Sequence, residues 1–427
     1  MPKFPTLIPG FRLKKRSALI LLLAAGLFNG CLWHSTDASP KESSYLPVDD
    51  SEYPYAGLPR IALETEDFAD IRDRDTKIPA LLQIYGKDAP QSEVFRLTVK
   101  GHGNYSWEFS KYSLKIEFEN KVSLFGMPKD RDWLLISNHR DKTLMRNWIT
   151  HRLSEALGAA YTPRSQFVEL FVNRKYAGVF QLTESVKVAA DRVDIPKNAS
   201  SFLFEKTIEN ATHGDPYFIS NAGLLFRIKF PKNVTPQSIQ VLKSHIDSVE
   251  VFLQSGQIQN PEALSQWISV EDFVRYYWIQ EFSKNIDGHF HKSLYFTWQK
   301  GSPIKTGPAW DFDNAYGLGL QENLPPEHWY TRQGYWFYLL FQSEPFQSAV
   351  RHFWKSNKET FYRASAFADS AKKILKQASQ NEYRRWPVLS NSDGIFNESY
   401  SSYDEAVDSL QFWISERFRW IESELGL

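Results

Sequence analysis

One change of rhythm divides this chain. Up to about residue 230 apolar side chains recur at every second position, and beyond it they recur three or four apart. A period of two describes strands with one buried face, and a period near 3.6 describes amphipathic helices. Segments 59–64, 78–85, 94–99 and 113–118 read as strands, the last with Leu114, Ile116 and Phe118 on one face. Segments 167–172 and 178–182 form a predicted hairpin around Asn173, Arg174 and Lys175, and 201–204 and 224–228 are further strands. One helix interrupts them. Over 141–157, Leu144, Trp148, Arg152 and Ala156 are spaced by four, Ile149 and Leu153 widen the stripe, and Gly158 is a stop. In the second half, Ser269 and Asp272 suggest a capping box before a helix over 273–282, with Val274, Trp278 and Phe282 on one face. Segment 404–425 is amphipathic through Val407, Leu410, Ile414, Ile421 and Leu425. The expected fold class is α+β, with a strand-rich lobe over 55–235 and a helical lobe over 236–427.

With 427 residues, 42% hydrophobic and 15% aromatic, the chain can bury a core large enough for one two-lobed domain. Its 50 basic and 50 acidic residues balance. Lys3, Arg12, Lys14, Lys15 and Arg16 all precede Cys31 and no acidic residue does, so the body is mildly acidic. Nothing in that balance favours a nucleic-acid partner. Cys31 is the only cysteine, which excludes internal disulfides and cysteine-based metal clusters.

The leader carries its own signal. A basic stretch (Arg12, Lys14, Lys15, Arg16) precedes the short apolar run 17–28, which ends in Leu27, Phe28, Asn29, Gly30 and Cys31. A bilayer-spanning helix needs about 20 apolar residues, so this run fits a secretory signal better than a membrane span. A small residue before a cysteine resembles a lipobox, with Phe28 and Asn29 departing from the usual residues. The expectation is a signal peptide over 1–31, lipidation of Cys31, and export to the bacterial envelope on a lipid anchor. An uncleaved anchor and a plain signal peptide are the alternatives. Residues 32–54, rich in Ser, Pro, Asp and Glu, read as a flexible tether.

Four ordered stretches carry a more specific signal. The first is Lys100-Gly101-His102-Gly103-Asn104-Tyr105-Ser106-Trp107 with Lys111-Tyr112-Ser113-Leu114-Lys115-Ile116. The second is Leu124-Phe125-Gly126-Met127-Pro128, then Asp132-Trp133-Leu134-Leu135 and Asp141-Lys142-Thr143-Leu144-Met145-Arg146-Asn147. The third runs from Pro163-Arg164-Ser165 through Val168-Glu169-Leu170, Tyr176-Ala177-Gly178-Val179-Phe180 and Thr183-Glu184 to Arg192-Val193. The fourth joins Lys284-Asn285-Ile286-Asp287, Ser293-Leu294-Tyr295-Phe296 and Gly307-Pro308-Ala309-Trp310-Asp311-Phe312-Asp313. In this order, over about residues 95–320, they resemble the spore-coat protein H (CotH) kinase family, an atypical branch of the protein kinases.

The resemblance implies an atypical kinase-like, two-lobed fold, and ATP with Mg²⁺ or Mn²⁺ as cofactors. Phosphoryl transfer needs metal-binding carboxylates, a cation for the phosphates and a carboxylate that orients the attacking hydroxyl. Asp311-Phe312-Asp313 looks like the metal-binding Asp-Phe-Gly segment of kinases, which makes Asp311 and Asp313 the metal candidates; by the residues alone it reads equally as a capped turn. Asp287, on a loop after a predicted helix, becomes the catalytic carboxylate with Asn285 beside it, although Asp287-Gly288 is also an ordinary turn. Kinases place a metal-binding Asn five residues after the catalytic Asp, and here Lys292 stands there. Lys115 is the phosphate candidate and Lys111 the runner-up, while alternation alone describes Lys115 as a solvent-facing strand lysine. His102 stands where the family usually has Arg. Glu184, Glu205 and Arg146 are polar residues in apolar surroundings, readable as lobe-bridging ion pairs, adenine-edge contacts or surface residues. His289 and His291 alone lack the third protein ligand of a catalytic zinc site.

Three functions follow as expectations. The chain phosphorylates Ser or Thr of an envelope or surface protein, or it binds a protein partner through an inactive kinase-like body, or it is a structural lipoprotein. The last would use aromatics such as Trp329, Trp336, Phe337, Trp354, Trp386 and Trp413 for contacts, though such residues are more often core. Clustered carboxylates repel without a cation, so Asp287, Asp311 and Asp313 favour the enzyme.

Overall fold

The computed structural model describes residues 45–427 apart from 88, 209–211, 213, 320–322 and 391–397. The expected leader, Cys31 and the first part of the expected tether lie outside the described residues.

Seven strands close into a barrel. They are β1 (Arg60–Thr65), β2 (Ile78–Tyr85), β3 (Phe95–His102), β4 (Ser113–Val122), β5 (Asp130–Ile136), β6 (Ser165–Val172) and β7 (Lys175–Glu184). Their order is β1-β2-β3-β4-β5-β7-β6, and the barrel closes where β1 runs parallel to β6, with Arg60 opposite Glu169. Closure leaves no sheet edge to template pairing with another chain. The period of two now has its cause: Ile61, Leu82, Val99, Leu114, Ile116, Phe118, Trp133 and Leu170 all point into the barrel core. Burying each such side chain is worth roughly 1.5–3 kcal/mol. Gly101 lies inside β3. A Cβ there would stand 2.1 Å from the Trp107 ring, so this glycine serves packing rather than phosphate binding.

The helix expected over 141–157 is shorter: α1 spans Arg146–Ala156. Asp141 explains the loss. Its carboxylate accepts from Thr143 N at 2.9 Å and from Arg146 N at 2.8 Å, a local turn that competes with helix and then caps it. Leu144 sits at φ +64° within that turn.

A second sheet draws its strands from both sides of the expected lobe boundary at 235/236. It contains β8 (Ser201–Lys206), β9 (Tyr217–Ile219), β10 (Leu225–Phe230), β11 (Leu294–Gln299) and β12 (Lys305–Thr306), in the order β12-β11-β8-β10-β9. Because β8 pairs with β11, strands from both sides of that boundary share one sheet. The architecture is therefore α+β with a seven-stranded barrel, a mixed-origin second sheet and a helical remainder. The helices are α2 (Pro236–Leu253), α3 (Pro261–Trp267), α4 (Val270–Ser283), α5 (Tyr335–Leu340), α6 (Glu344–Tyr362), α7 (Ala364–Leu375), α8 (Ala378–Arg385) and α9 (Tyr403–Leu425). The expected capping box at α4 is altered: Ser269 donates to the Asp272 carboxylate at 2.7 Å and caps no backbone N–H. Trp336, Phe337, Trp354 and Trp413 are buried, which places them in the core rather than on a contact surface. No described helix is long and apolar enough to cross a membrane.

The tether expected over 32–54 also changes where it is described. Leu46 N donates to Gln83 at 2.8 Å, Asp50 pairs with Arg60 at 2.6 Å, and Pro54 O accepts from Asn381 at 2.8 Å. Residues 45–54 are thus held against the barrel and α8.

Lys111, the runner-up phosphate candidate, is buried and pairs with Glu382 of α8 at 2.7 Å. Glu382 also accepts from Val179 N at 2.6 Å. Gly178 makes this approach possible, since a Cβ there would lie 2.6 Å from Glu382. Breaking a buried pair strands a charge. Lys111→Met is therefore expected to cost about 3–5 kcal/mol in urea denaturation. An unchanged midpoint would argue against this structural role.

Candidate functional site

Helix α4 stops at Lys284, whose φ of +48° turns the chain out of the helix. Asn285 then organises the loop. Its side chain donates to Gln280 at 3.0 Å and to Asp311 O at 3.2 Å, and it accepts from Asp287 N at 3.3 Å. Backbone bonds tie the same loop to the segment after β12: Ile286 N to Asn314 O at 3.1 Å, and Tyr316 N to Ser283 O at 2.7 Å. Two stretches that the sequence separates by more than twenty residues are so stitched into one rigid unit.

That unit brings Asp287, Asp311 and Asp313 together. Asp287 is only 1% exposed, and its Oδ2 has no hydrogen-bond partner; the Lys292 ammonium lies 3.5 Å away. Asp311 adopts φ +68°, a left-handed conformation unusual for a side-chain-bearing residue, and accepts from Ser293 Oγ at 2.8 Å. Lys284, Phe290, Ser293 and Tyr316 also have positive φ, so backbone strain gathers at these loops, as it does at functional sites. Asp313 is half-buried, and its carboxyl feels the charge of Asp311.

Electrostatics follow from the placement. Burial, opposed by Lys292 and reinforced by Asp311 and Asp313, pushes Asp287 up to about 8. Burial and the Asp311 carboxylate raise Asp313 to about 7. Burial works against the Lys292 ammonium, yet the three carboxylates outweigh it and raise its pKa. One ammonium thus faces three carboxyl groups, and the repulsion among them favours a proton on Asp287 and on Asp313.

A divalent cation fits this donor set. The oxygens are hard ligands, and the local charge asks for a cation. Among the described residues, no group of three or more His, Cys, Asp or Glu side chains forms a preformed metal cage. Mg²⁺ is usually held by one or two carboxylates, taking its other ligands from water and phosphate. Asp311 and Asp313 are two carboxylates of that kind. Beside the site, a cavity of about 340 Å³ opens between the end of α1, the first half of α4 and the β11–β12 hairpin. Tyr161, Arg192, Asp272 and Thr297 line it, and so does Ala309, two residues before Asp311.

The other expected site residues lie elsewhere. Lys115 pairs with Asp132 at 3.5 Å on the barrel wall. Buried Glu184 accepts three bonds from Arg164, two from its guanidinium at 2.9 Å and one from its backbone N at 3.0 Å. Glu205 pairs with Arg227. Arg146 pairs with Asp141 and Glu398, and its Nε donates to Ala315 O at 3.0 Å, which steadies the loop after Asp313. His289 and His291 lie in the loop after Asp287.

Sequence reasoning missed the groups that hold the carboxylates in place. Asn147 of α1 accepts from Phe312 N at 2.8 Å, between the two metal candidates. Arg140 donates to Asn314 Oδ1 and to Gly319 O. Asn147 lay within a quoted motif and Arg140 immediately before it, but nothing in a linear motif says which side chain grips which backbone. A family model described as CotH kinase protein matches residues 99–421, reaching about a hundred residues past the motif stretches into α9. No curated protein matches the chain.

Proposed function

The chain belongs to the CotH kinase family, and on that premise we propose that it transfers the γ-phosphoryl group of ATP to Ser or Thr hydroxyls of a protein. The observation that carries the reading is the buried Asp287 carboxyl, facing the Lys292 ammonium and set against Asp311 and Asp313. In this reading Asp311 and Asp313 hold Mg²⁺ or Mn²⁺, which when bound supplies the positive charge that bridges nucleotide phosphates. Asn147 fixes the backbone between them through the Phe312 N–H. Asp287 Oδ2 accepts the proton of the attacking hydroxyl and orients its oxygen. The 340 Å³ cavity has room for the nucleoside. The test is transfer of labelled phosphate from ATP to envelope proteins or to the chain itself. Label on Ser or Thr that Asp287→Asn abolishes supports the reading; equal label from both proteins contradicts it.

A second reading, a kinase-like body that binds a protein partner without turnover, is favoured by one observation. Lys292 occupies the position of the kinase metal-binding Asn and pairs with Asp287.

The leader adds a location. We propose export and anchoring to the envelope through a lipid on Cys31, with a membrane-associated or surface protein as substrate. Cys31→Ser is expected to move the chain from the membrane fraction to the soluble one; unchanged fractionation would contradict lipidation.

A further inference from the structure

Neither lysine that the sequence offered for the phosphates acts on the buried Asp287 and Asp313 carboxyls. Lys111 lies buried against Glu382, and Lys115 pairs with Asp132. Phosphoryl transfer still needs a cation on the nucleotide, because the triphosphate brings more negative charge to a site that already holds three carboxyl groups. Two cations act on those carboxyls, Arg140 on Asp313 and Lys292 on all three. Arg140 is spent on structure: it donates to Asn314 Oδ1 and Gly319 O, and it is buried. Lys292 differs in each respect. Its side chain is 20% exposed, its contact with Asp287 is a long 3.5 Å, and it sits on a loop rather than within a helix or strand.

The loop around it is nevertheless firm. Lys206 of β8 donates to His291 O at 2.7 Å, His291 N donates to Asp287 O at 3.0 Å, and Ser293 Oγ reaches Asp311 at 2.8 Å. The residues on either side of Lys292 are therefore pinned, while its four-carbon stem leaves the ammonium free to swing by a few ångströms.

We propose that Lys292 is the phosphate-binding cation of this site: in the ligand-free chain Asp287 holds its ammonium, and on nucleotide binding that ammonium moves onto a phosphate oxygen. The inference rests on the phosphotransfer reading. It accounts for lysine at the position where kinases carry a metal-binding Asn. It also links two events, since the same movement that pairs the phosphate releases Asp287 to accept the hydroxyl proton. Lys292 is a compact point charge, suited to a phosphate oxygen without a fixed fork geometry.

The test is calorimetry on the full chain with ATP and with adenosine, each in the presence of Mg²⁺. Lys292→Met is expected to weaken ATP binding about tenfold to a hundredfold and to leave adenosine binding unchanged. Lys292→Arg is expected to keep most of the ATP affinity, and Lys115→Met all of it. Equal ATP affinity in the wild type and Lys292→Met overturns the Lys292 assignment and leaves the phosphotransfer reading standing. Equal loss of ATP and adenosine overturns the assignment too, because it marks general damage. No ATP binding by the folded wild type overturns both. If Lys292→Met unfolds because Asp287 is left unpaired, the double variant Lys292→Met with Asp287→Asn is compared with Asp287→Asn alone, and the same tenfold or greater difference is expected.

Discussion

Asp287→Asn is expected to lower phosphoryl transfer about 10²–10⁴-fold while leaving nucleotide affinity within about threefold of the wild type. The amide keeps the size and the loop but cannot take the hydroxyl proton. Stability supplies a second readout with a definite sign. In the folded chain the Asp287 carboxyl titrates near 8 against an ordinary 3.8, so the folded state keeps a proton that the unfolded state releases. Stability from that neutral carboxyl is fully present below about pH 4 and is lost as pH rises through 8. Asparagine has no such loss. The variant should match the wild type near pH 4 and exceed it at pH 8 by on the order of 3 kcal/mol in urea denaturation. A variant that is less stable at pH 8, or that retains transfer, contradicts the placement of this residue. A gain of stability on removing a catalytic group is what a strained site predicts.

Asp311→Asn is expected to abolish metal-dependent nucleotide binding, with a loss of about a hundredfold or more in calorimetry. Asparagine suits the test better than alanine because it tolerates the left-handed backbone at φ +68°. The wild-type metal affinity should also rise with pH. Asp287 and Asp313 hold protons up to about 8 and about 7, and a cation must displace them. Titration of Mn²⁺ at pH 6 and pH 8 should show tighter binding at pH 8, with proton release at pH 6 seen as a buffer-dependent heat. Binding that Asp311→Asn leaves unchanged, or that is independent of pH, would count against this site.

Local signals in the sequence were legible where neighbours decide the outcome. The alternation of Leu114, Ile116 and Phe118 sets one face of β4, and the hairpin around Asn173 and Arg174 appears as β6 and β7. The meeting of Asp287 with Asp311 and Asp313 was inferred from a family resemblance, and the structure places the three together. Long-range pairings were not legible. Nothing near Lys111 announces Glu382, 271 positions away, so their buried ion pair could not be read from the sequence. The pairing of β8 with β11 likewise crosses a boundary that the change of period seemed to draw. Strand β5 was hidden because Asp130 and Asp132 precede its apolar stretch, and those carboxylates are held by Lys187. In each case the deciding partner lies far along the chain, beyond the reach of a periodicity window.

The most direct test of the central claim is a calorimetric titration of ATP into the full chain, with and without Mg²⁺ or Mn²⁺, in wild type and Asp311→Asn. The three-carboxylate site predicts binding that requires the metal and disappears in the variant. Binding that ignores both, or no binding by a well-folded wild type with either metal, would contradict it.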